Sequence, residues 1–239
     1  TCRIVNKKVP VLVGITDTSF DGTLEIANHA KKVGADALVV APPYYFPIAQ
    51  EEMGDYLESL VPMLPLPFML YNMPSCTKLH LSLDVVRRAK ELGAIGIKDS
   101  SGDLSYLYML IEEFKSDPAF SIIAGTELFL PETIMYGGHG SVAGGANFFP
   151  RLFVDLYEAA MAQNLEKVKL LRDKVIKVHQ TIYEVGEYPS RHIKAALMAM
   201  GICQDHNAEP LDRFTEEQRN RIKKYIAQFN YRNEYKTIH

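Results

Sequence analysis

Tryptophan is absent from the 239 residues, and cysteine occurs three times, at Cys2, Cys76 and Cys203. The cysteines are odd in number, widely separated and without a Cys-x-x-Cys pair, which excludes a disulfide framework and makes the reducing cytoplasm the expected compartment. No apolar run approaches the roughly 18 residues of a membrane-spanning helix, and Phe68-Met69-Leu70-Tyr71 is flanked by Pro62, Pro65, Pro67 and Pro74. The first eight residues lack the apolar stretch of a secretory leader. They also lack an initiator methionine, so a processed chain or a fragment is expected. No excess of one charge exists: 26 Lys+Arg stand against 29 Asp+Glu, a net charge of −3, which argues against a nucleic-acid binder. The phosphate-binding P-loop, the His-Glu-x-x-His zinc motif, the EF-hand loop and the Gly-x-Ser-x-Gly elbow are missing. Seven dispersed histidines suggest no metal site, and no cofactor is expected. What is present is an ordinary globular composition, 47% apolar and 23% charged, too rich in apolar residues for a disordered chain.

Short apolar stretches alternate with helical patterns. Strands are expected near 9–16, 36–42, 66–72, 94–100, 121–126 and 140–146, and helices over 21–33, 51–61, 82–92 and 104–115. Leu24, Ala27, Ala30 and Val33 mark the first helix, and Met53, Tyr56, Leu57 and Leu60 the second. Strand starts recur every 27–30 residues up to a last, shorter gap, the length of a βα unit. Such alternation implies a parallel sheet covered by helices, either a barrel or an open doubly wound sheet. After Pro150 the strands stop. Val168, Leu171, Val175, Val178, Ile182 and Val185 form a long helical stripe, and 191–200 and 215–229 read as further helices. The expected division is therefore a catalytic α/β region, 1–150, and a helical region, 151–239. A complete eight-stranded barrel needs roughly 200 residues or more, so a barrel here would lack about two βα units. The opening residues read as the end of a helix closing at Lys8.

Lys98 ends the strand Ala94-Ile95-Gly96-Ile97. Side chains alternate along a strand, so Ala94, Gly96 and Lys98 share one face and leave room for the lysine, while Ile95 and Ile97 face covering helices. An amine sheltered from water is costly as a cation, and the neutral form is the nucleophile of Schiff-base chemistry. An ion pair with Asp99 or a lysine extended to the sheet edge explains the same position. Tyr71 ends the preceding strand, one βα unit earlier, and a phenol there can move protons at a reacting carbonyl; a packing tyrosine is the plainer account. Both lie at carboxyl ends of strands, where parallel α/β proteins place their sites. Pro42-Pro43-Tyr44-Tyr45-Phe46 follows the second strand on the same rim, either as site residues or as a self-packing aromatic loop. Gly137-Gly138-His139-Gly140 is either a turn into the last strand or a phosphate cradle.

Pro42-Pro43-Tyr44-Tyr45, Tyr71-Asn72-Met73-Pro74, Gly96-Ile97-Lys98-Asp99-Ser100 and Gly137-Gly138-His139-Gly140 together carry a resemblance, in order and spacing, to the dihydrodipicolinate synthase / N-acetylneuraminate lyase superfamily of class I aldolases. The resemblance implies a (βα)8 TIM barrel with a C-terminal helical domain, assembled as a homo-oligomer, a dimer or a tetramer. It implies a metal-independent, Schiff-base-forming aldolase or dehydratase acting on pyruvate or another 2-oxo acid with an aldehyde partner, and neither nucleic acid nor membrane as a partner. Lys98 becomes the Schiff-base lysine, Tyr71 the proton-shuttling tyrosine and Tyr45 a tyrosine lent across a dimer interface. Tyr44, Gly125, Thr126, Glu127 and Val142 become substrate-side residues. The family's glycine- and hydroxyl-rich carboxylate loop is not in this chain. Cys76 stands where the synthases carry arginine, and Leu128 stands where the sialate lyases carry a second acid, which leaves another 2-oxo acid aldolase or a sugar-acid dehydratase open. Two other classes remain: a non-catalytic 2-oxo-acid-binding or scaffold member of the family, and a phosphate-handling barrel enzyme using the Gly137–Gly140 turn.

Overall fold

The computed structural model describes residues 1–185, 189–209, 211 and 214–229. These divide into two compact units: one comprises 1–126 and 136–141, the other 127–135 and 142–239. Relative to the division near 150 read from the sequence, residues 127–135 and 142–149 therefore group with the helices, and residues 230–239 of the expected helical region lie outside the described residues.

The first unit begins with a helical turn, α1 (Cys2–Val5), followed by β1 (Leu12–Gly14), α2 (Phe20–Lys32), β2 (Ala37–Val40), α3 (Gln50–Leu60) and β3 (Phe68–Asn72). A short α4 (Pro74–Thr77) and α5 (Leu83–Glu91) lead to β4 (Gly96–Asp99), α6 (Leu104–Phe114) and β5 (Ser121–Ala124), and β6 (Gly140–Ser141) closes the series. All six strands are parallel and lie in sequence order, forming a curled half-barrel. The expected helix through Lys8 ends instead at Val5, because Asn6 and Lys7 adopt left-handed backbone angles, φ 47° and 61°. That conformation breaks the helical ladder, and asparagine tolerates it better than most residues.

Helix starts are set by short polar side chains. Ser19 Oγ accepts the Gly22 N–H, Ser82 Oγ accepts the Val85 N–H, and Asp103 Oδ1 accepts the N–H groups of Ser105 and Tyr106, satisfying donors that the first helical turn leaves without carbonyl partners. The buried stripe of α2 is Thr23, Ala27 and Ala30. Val33, expected inside, caps the helix and is 46% exposed. Met53, Leu57 and Leu60 bury the inner face of α3 as expected.

The sheet has two unlike faces. Leu38, Val40, Phe68, Leu70, Ile97, Ile122 and Ala124 point to one side and are buried. Of the alternate residues, Val39, Tyr71, Lys98, Ser121 and Ile123 are half-buried, while Ala37 and Met69 are buried. Apolar burial is thus heavier on the first face, at roughly 25 cal/mol per Å² removed from water. Ile95 departs from expectation. It immediately precedes β4, its backbone bonded to Phe68 and Ser121, and is 39% exposed.

The second unit contains α7 (Leu130–Met135), α8 (Pro150–Met161), α9 (Leu165–Thr181), α10 (Pro189–Ala199) and α11 (Glu216–Gln228). The stripe Val168, Leu171, Val175, Val178, Ile182 and Val185 is buried throughout, against Leu152, Leu156, Ala159 and Ala160 of α8. Among the described residues, no helix is long and apolar enough to cross a membrane.

Candidate active site

Lys98 and Tyr71 are brought together by strand register. They are direct partners across the β3–β4 ladder, so their Cα atoms lie about 4.8 Å apart on neighbouring strands with side chains on one face. The Lys98 Nζ stands 4.3 Å from the centre of the Tyr71 ring, within cation–π range. Both side chains are half-buried.

Gly96 has a different explanation from making room for the lysine. A Cβ at Gly96 would fall 2.3 Å from the Ser121 carbonyl oxygen and 2.9 Å from the Ser121 Cβ. The glycine thus permits close approach of β4 to β5. A similar demand applies at Gly125, whose Cβ would meet the Ser100 side chain well inside contact distance, while its N–H donates to the Asp99 carbonyl at 2.6 Å. Gly125 and Thr126 follow β5 directly, beside the end of β4, and both are half-buried.

Behind the lysine lies a polar cluster that strand-end reasoning missed. Asn72 and Asp99, the next registered pair, point to the opposite face and are 0% and 3% exposed. Asn72 Nδ2 donates to Asp99 Oδ1 at 2.7 Å, and Asn72 Oδ1 accepts the Leu81 N–H at 3.0 Å. Asp99 also accepts the Ser101 hydroxyl at 2.9 Å. Burial pushes the Asp99 carboxyl above its ordinary range, against the opposing pull of these donors and of His80. Burial likewise raises the Tyr106 phenol, with the Asp99 charge adding to the effect. The signal was available in Tyr71-Asn72 and Lys98-Asp99, since a polar residue beside each candidate would land on the helix-covered face and need a partner.

The aromatic loop after β2 is open to solvent. Tyr44, Tyr45 and Phe46 are 45%, 69% and 72% exposed, and the Tyr45 and Phe46 rings meet edge-on at 4.8 Å. Glu127 and Val142 belong to the helical unit. Glu127 is 4% exposed, accepts the Gly145 N–H at 2.7 Å and lies 2.9 Å from His179 Nε2. It also abuts the Tyr183 phenol, which burial and this carboxylate push upward. Val142 is 56% exposed.

Gly137–Gly140 is a turn whose polar groups serve the sheet. Gly137 has φ 99°, a conformation suited to glycine. The His139 N–H donates to the Ile122 carbonyl at 2.8 Å, and His139 Nδ1 accepts the Ile122 N–H at 3.1 Å.

The profile of the Dihydrodipicolinate synthetase family matches residues 1–229. A probable 2-dehydro-3-deoxy-D-pentonate aldolase, YjhH, of Escherichia coli is 30% identical over 223 residues, covering 92% of this chain and 74% of its own. A dihydrodipicolinate synthase structure from Bacteroides thetaiotaomicron aligns with TM-score 0.90 and 42% identity, over 95% of this chain and 78% of that one. The E. coli protein YagE, solved in complex with pyruvate, aligns with TM-score 0.87 and 28% identity, over 95% and 77% of the two chains. With register partners Tyr71 and Lys98 at the carboxyl ends of β3 and β4, and with this match along nearly its whole length, the chain belongs to the dihydrodipicolinate synthetase family.

Proposed function

We propose that the protein is a Schiff-base-forming lyase of the class I aldolase type acting on pyruvate or a related 2-oxo acid. The observation that carries this reading is the placement of the Lys98 amine over the Tyr71 ring, on one face of the sheet at the strand carboxyl ends. The neutral Lys98 amine attacks the 2-oxo carbon, forming a carbinolamine. The Tyr71 phenol delivers a proton to the carbinolamine oxygen, which leaves as water and yields an iminium. The iminium withdraws electrons from C3, so loss of a C3 proton gives an enamine that adds to an aldehyde carbonyl. Hydrolysis of the new iminium returns the free amine. Run backward, the same steps cleave a 4-hydroxy-2-oxo acid.

Tyr44, Gly125 and Thr126 are assigned to the substrate side of the rim because they follow β2 and β5. Val142 keeps its assignment near the substrate from the family resemblance alone. Glu127, which accepts the Gly145 N–H and lies beside His179, is assigned to holding the 144–145 turn. The exposed Tyr45 fits donation to a second copy of the chain in a homo-oligomer. We read the six-stranded sheet as part of a (βα)8 barrel, in keeping with its span of 74–78% of the relatives' lengths. Relatives of both kinds, a synthase and a sugar-acid aldolase, match over most of the chain, so pyruvate is the shared component and the aldehyde is the variable one.

Borohydride reduction in the presence of pyruvate tests the reading. One reduced adduct, mapped by mass to Lys98 and absent from Lys98→Arg, is the expected result. Absence of an adduct from the folded protein, or full turnover by Lys98→Arg, overturns it.

A further inference from the structure

We propose that Asn72 and Asp99 are positioning residues whose cross-strand hydrogen bond holds Tyr71 and Lys98 in reacting alignment. This inference rests on the Schiff-base reading above and adds a residue pair that never touches substrate.

The argument begins with register. Tyr71 pairs with Lys98, and one residue further along, Asn72 pairs with Asp99. Side chains alternate, so the second pair points away from the first, into the layer between sheet and helices. There Asn72 is fully buried and Asp99 nearly so. A buried carboxylate and a buried amide are expensive without partners, and the bond between them, Nδ2 to Oδ1 at 2.7 Å, is among the short side-chain bonds of the unit.

The orientation of the amide is determined by its second partner. The Leu81 N–H is a donor only, so the oxygen of Asn72 must face it, and the NH2 group must face Asp99. Asn72 thereby ties the end of β3 both to β4 and to the segment entering α5. Asp99 ties the end of β4 to Ser101 through hydroxyl and backbone N–H contacts, at 2.9 Å and 3.3 Å. The Ser100 N–H donates to the Asn72 carbonyl at 2.8 Å, continuing the ladder past the site. His80 and Tyr106, from the neighbouring segment and α6, are the other titratable groups facing Asp99.

The sheet is narrow at this point. β4 contains four residues, Gly96–Asp99, and Lys98 is the last but one. Backbone bonds by themselves let strand ends fray, whereas a buried side-chain bond immediately beyond the reacting pair limits relative sliding of β3 and β4. Attack on a carbonyl and proton delivery by the phenol demand near-contact geometry, and misplacement of about 1 Å from a remote change can cost on the order of 100-fold.

The test is the rate constant of imine formation at saturating pyruvate, followed by rapid mixing and borohydride quench, with thermal melts run on the same samples. In Asn72→Ala, measured well below its melting temperature, the first-order rate falls tenfold or more while half-saturation by pyruvate moves less than about threefold. Asp99→Ala shows the same loss, and Asp99→Asn, which keeps an acceptor for the Asn72 amide, recovers most of it. The double variant Asn72→Ala/Asp99→Ala is no slower than the worse single variant, since one bond is being removed. A purely architectural role lowers the folded fraction and leaves the rate constant of the folded molecules unchanged; that result overturns the proposal. If Asn72→Ala does not fold, equal rates in Asp99→Ala and Asp99→Asn overturn it instead. Failure of the wild-type protein to form any adduct at Lys98 refutes the Schiff-base reading itself, a distinct outcome.

Discussion

Replacing Gly96 with alanine separates a steric demand of the sheet from the chemistry two residues further on. The new methyl would lie 2.3 Å from the Ser121 carbonyl oxygen, where a carbon–oxygen contact needs about 3.3 Å. The strands must therefore part locally by about 1 Å. The obstacle is backbone, held in a ladder in which the Ser121 N–H donates to the Ile95 carbonyl at 2.9 Å, so no rotamer change relieves it. Overpacking of this kind costs about 1–3 kcal/mol. Alanine's smaller conformational freedom in the unfolded chain returns about 0.4–1 kcal/mol. A net loss of about 1–2 kcal/mol corresponds to a melting temperature lower by about 2–8 °C for a chain of this size. Gly14 supplies the control. It lies in β1 with nothing within 4 Å of its Cβ position, so Gly14→Ala should be neutral or up to about 1 kcal/mol more stable. Urea and thermal unfolding of both variants, followed by circular dichroism, measure the difference, and pyruvate trapping on the same samples shows whether Lys98 has moved. Equal stability of the two variants would refute the reasoning.

Tyr71→Phe keeps the ring under Lys98 and removes the proton donor, so imine formation should slow by about 10²–10⁴-fold with little change in stability; single-turnover trapping measures it, and an unchanged rate removes Tyr71 from proton transfer. Asp99→Asn should alter the pH dependence of stability. The raised carboxyl of Asp99 makes the folded state bind a proton more tightly than the unfolded chain, whose group titrates near 3.8. Its contribution therefore declines as pH rises from that value through the higher folded one, and urea midpoints across pH 3.5–7 should fall less steeply in the variant than in wild type. Glu127→Ala removes the acceptor of the buried Gly145 N–H and should destabilise the helical unit by about 1–3 kcal/mol, read from denaturant unfolding, whereas an unaltered midpoint would show that water replaces the carboxylate.

The order of strands and helices was legible because each buried element repeats a simple period. Six apolar stretches at βα spacing became six parallel strands in sequence order, and the stripe from Val168 to Val185 became the buried face of α9 and the turn after it. Element ends were less legible. Asn6 and Lys7 stopped a helix through backbone angles that no hydrophobic pattern encodes, and Val33 followed the period of α2 yet fell at its exposed cap. At the site, the pairing of Tyr71 with Lys98 could be inferred from their spacing. The same spacing makes Asn72 and Asp99 the next pair; that the Asn72 amide turns its oxygen to the Leu81 N–H and its NH2 to Asp99 could not be inferred, because it depends on how the segment before α5 packs against the strand ends.

By itself the sequence marked the candidates for the chemistry, an amine and a phenol at the ends of consecutive strands, and held motifs whose order and spacing resemble one family. Those are properties of residue type and separation, and they survive any small shift in packing. Only the tertiary structure decided that Gly96 answers to the Ser121 carbonyl and that Glu127 accepts the Gly145 N–H beside His179. Each of these depends on approaches of a few tenths of an ångström between segments distant in sequence. Such distances arise from close packing of the whole unit, which no local pattern of residues contains.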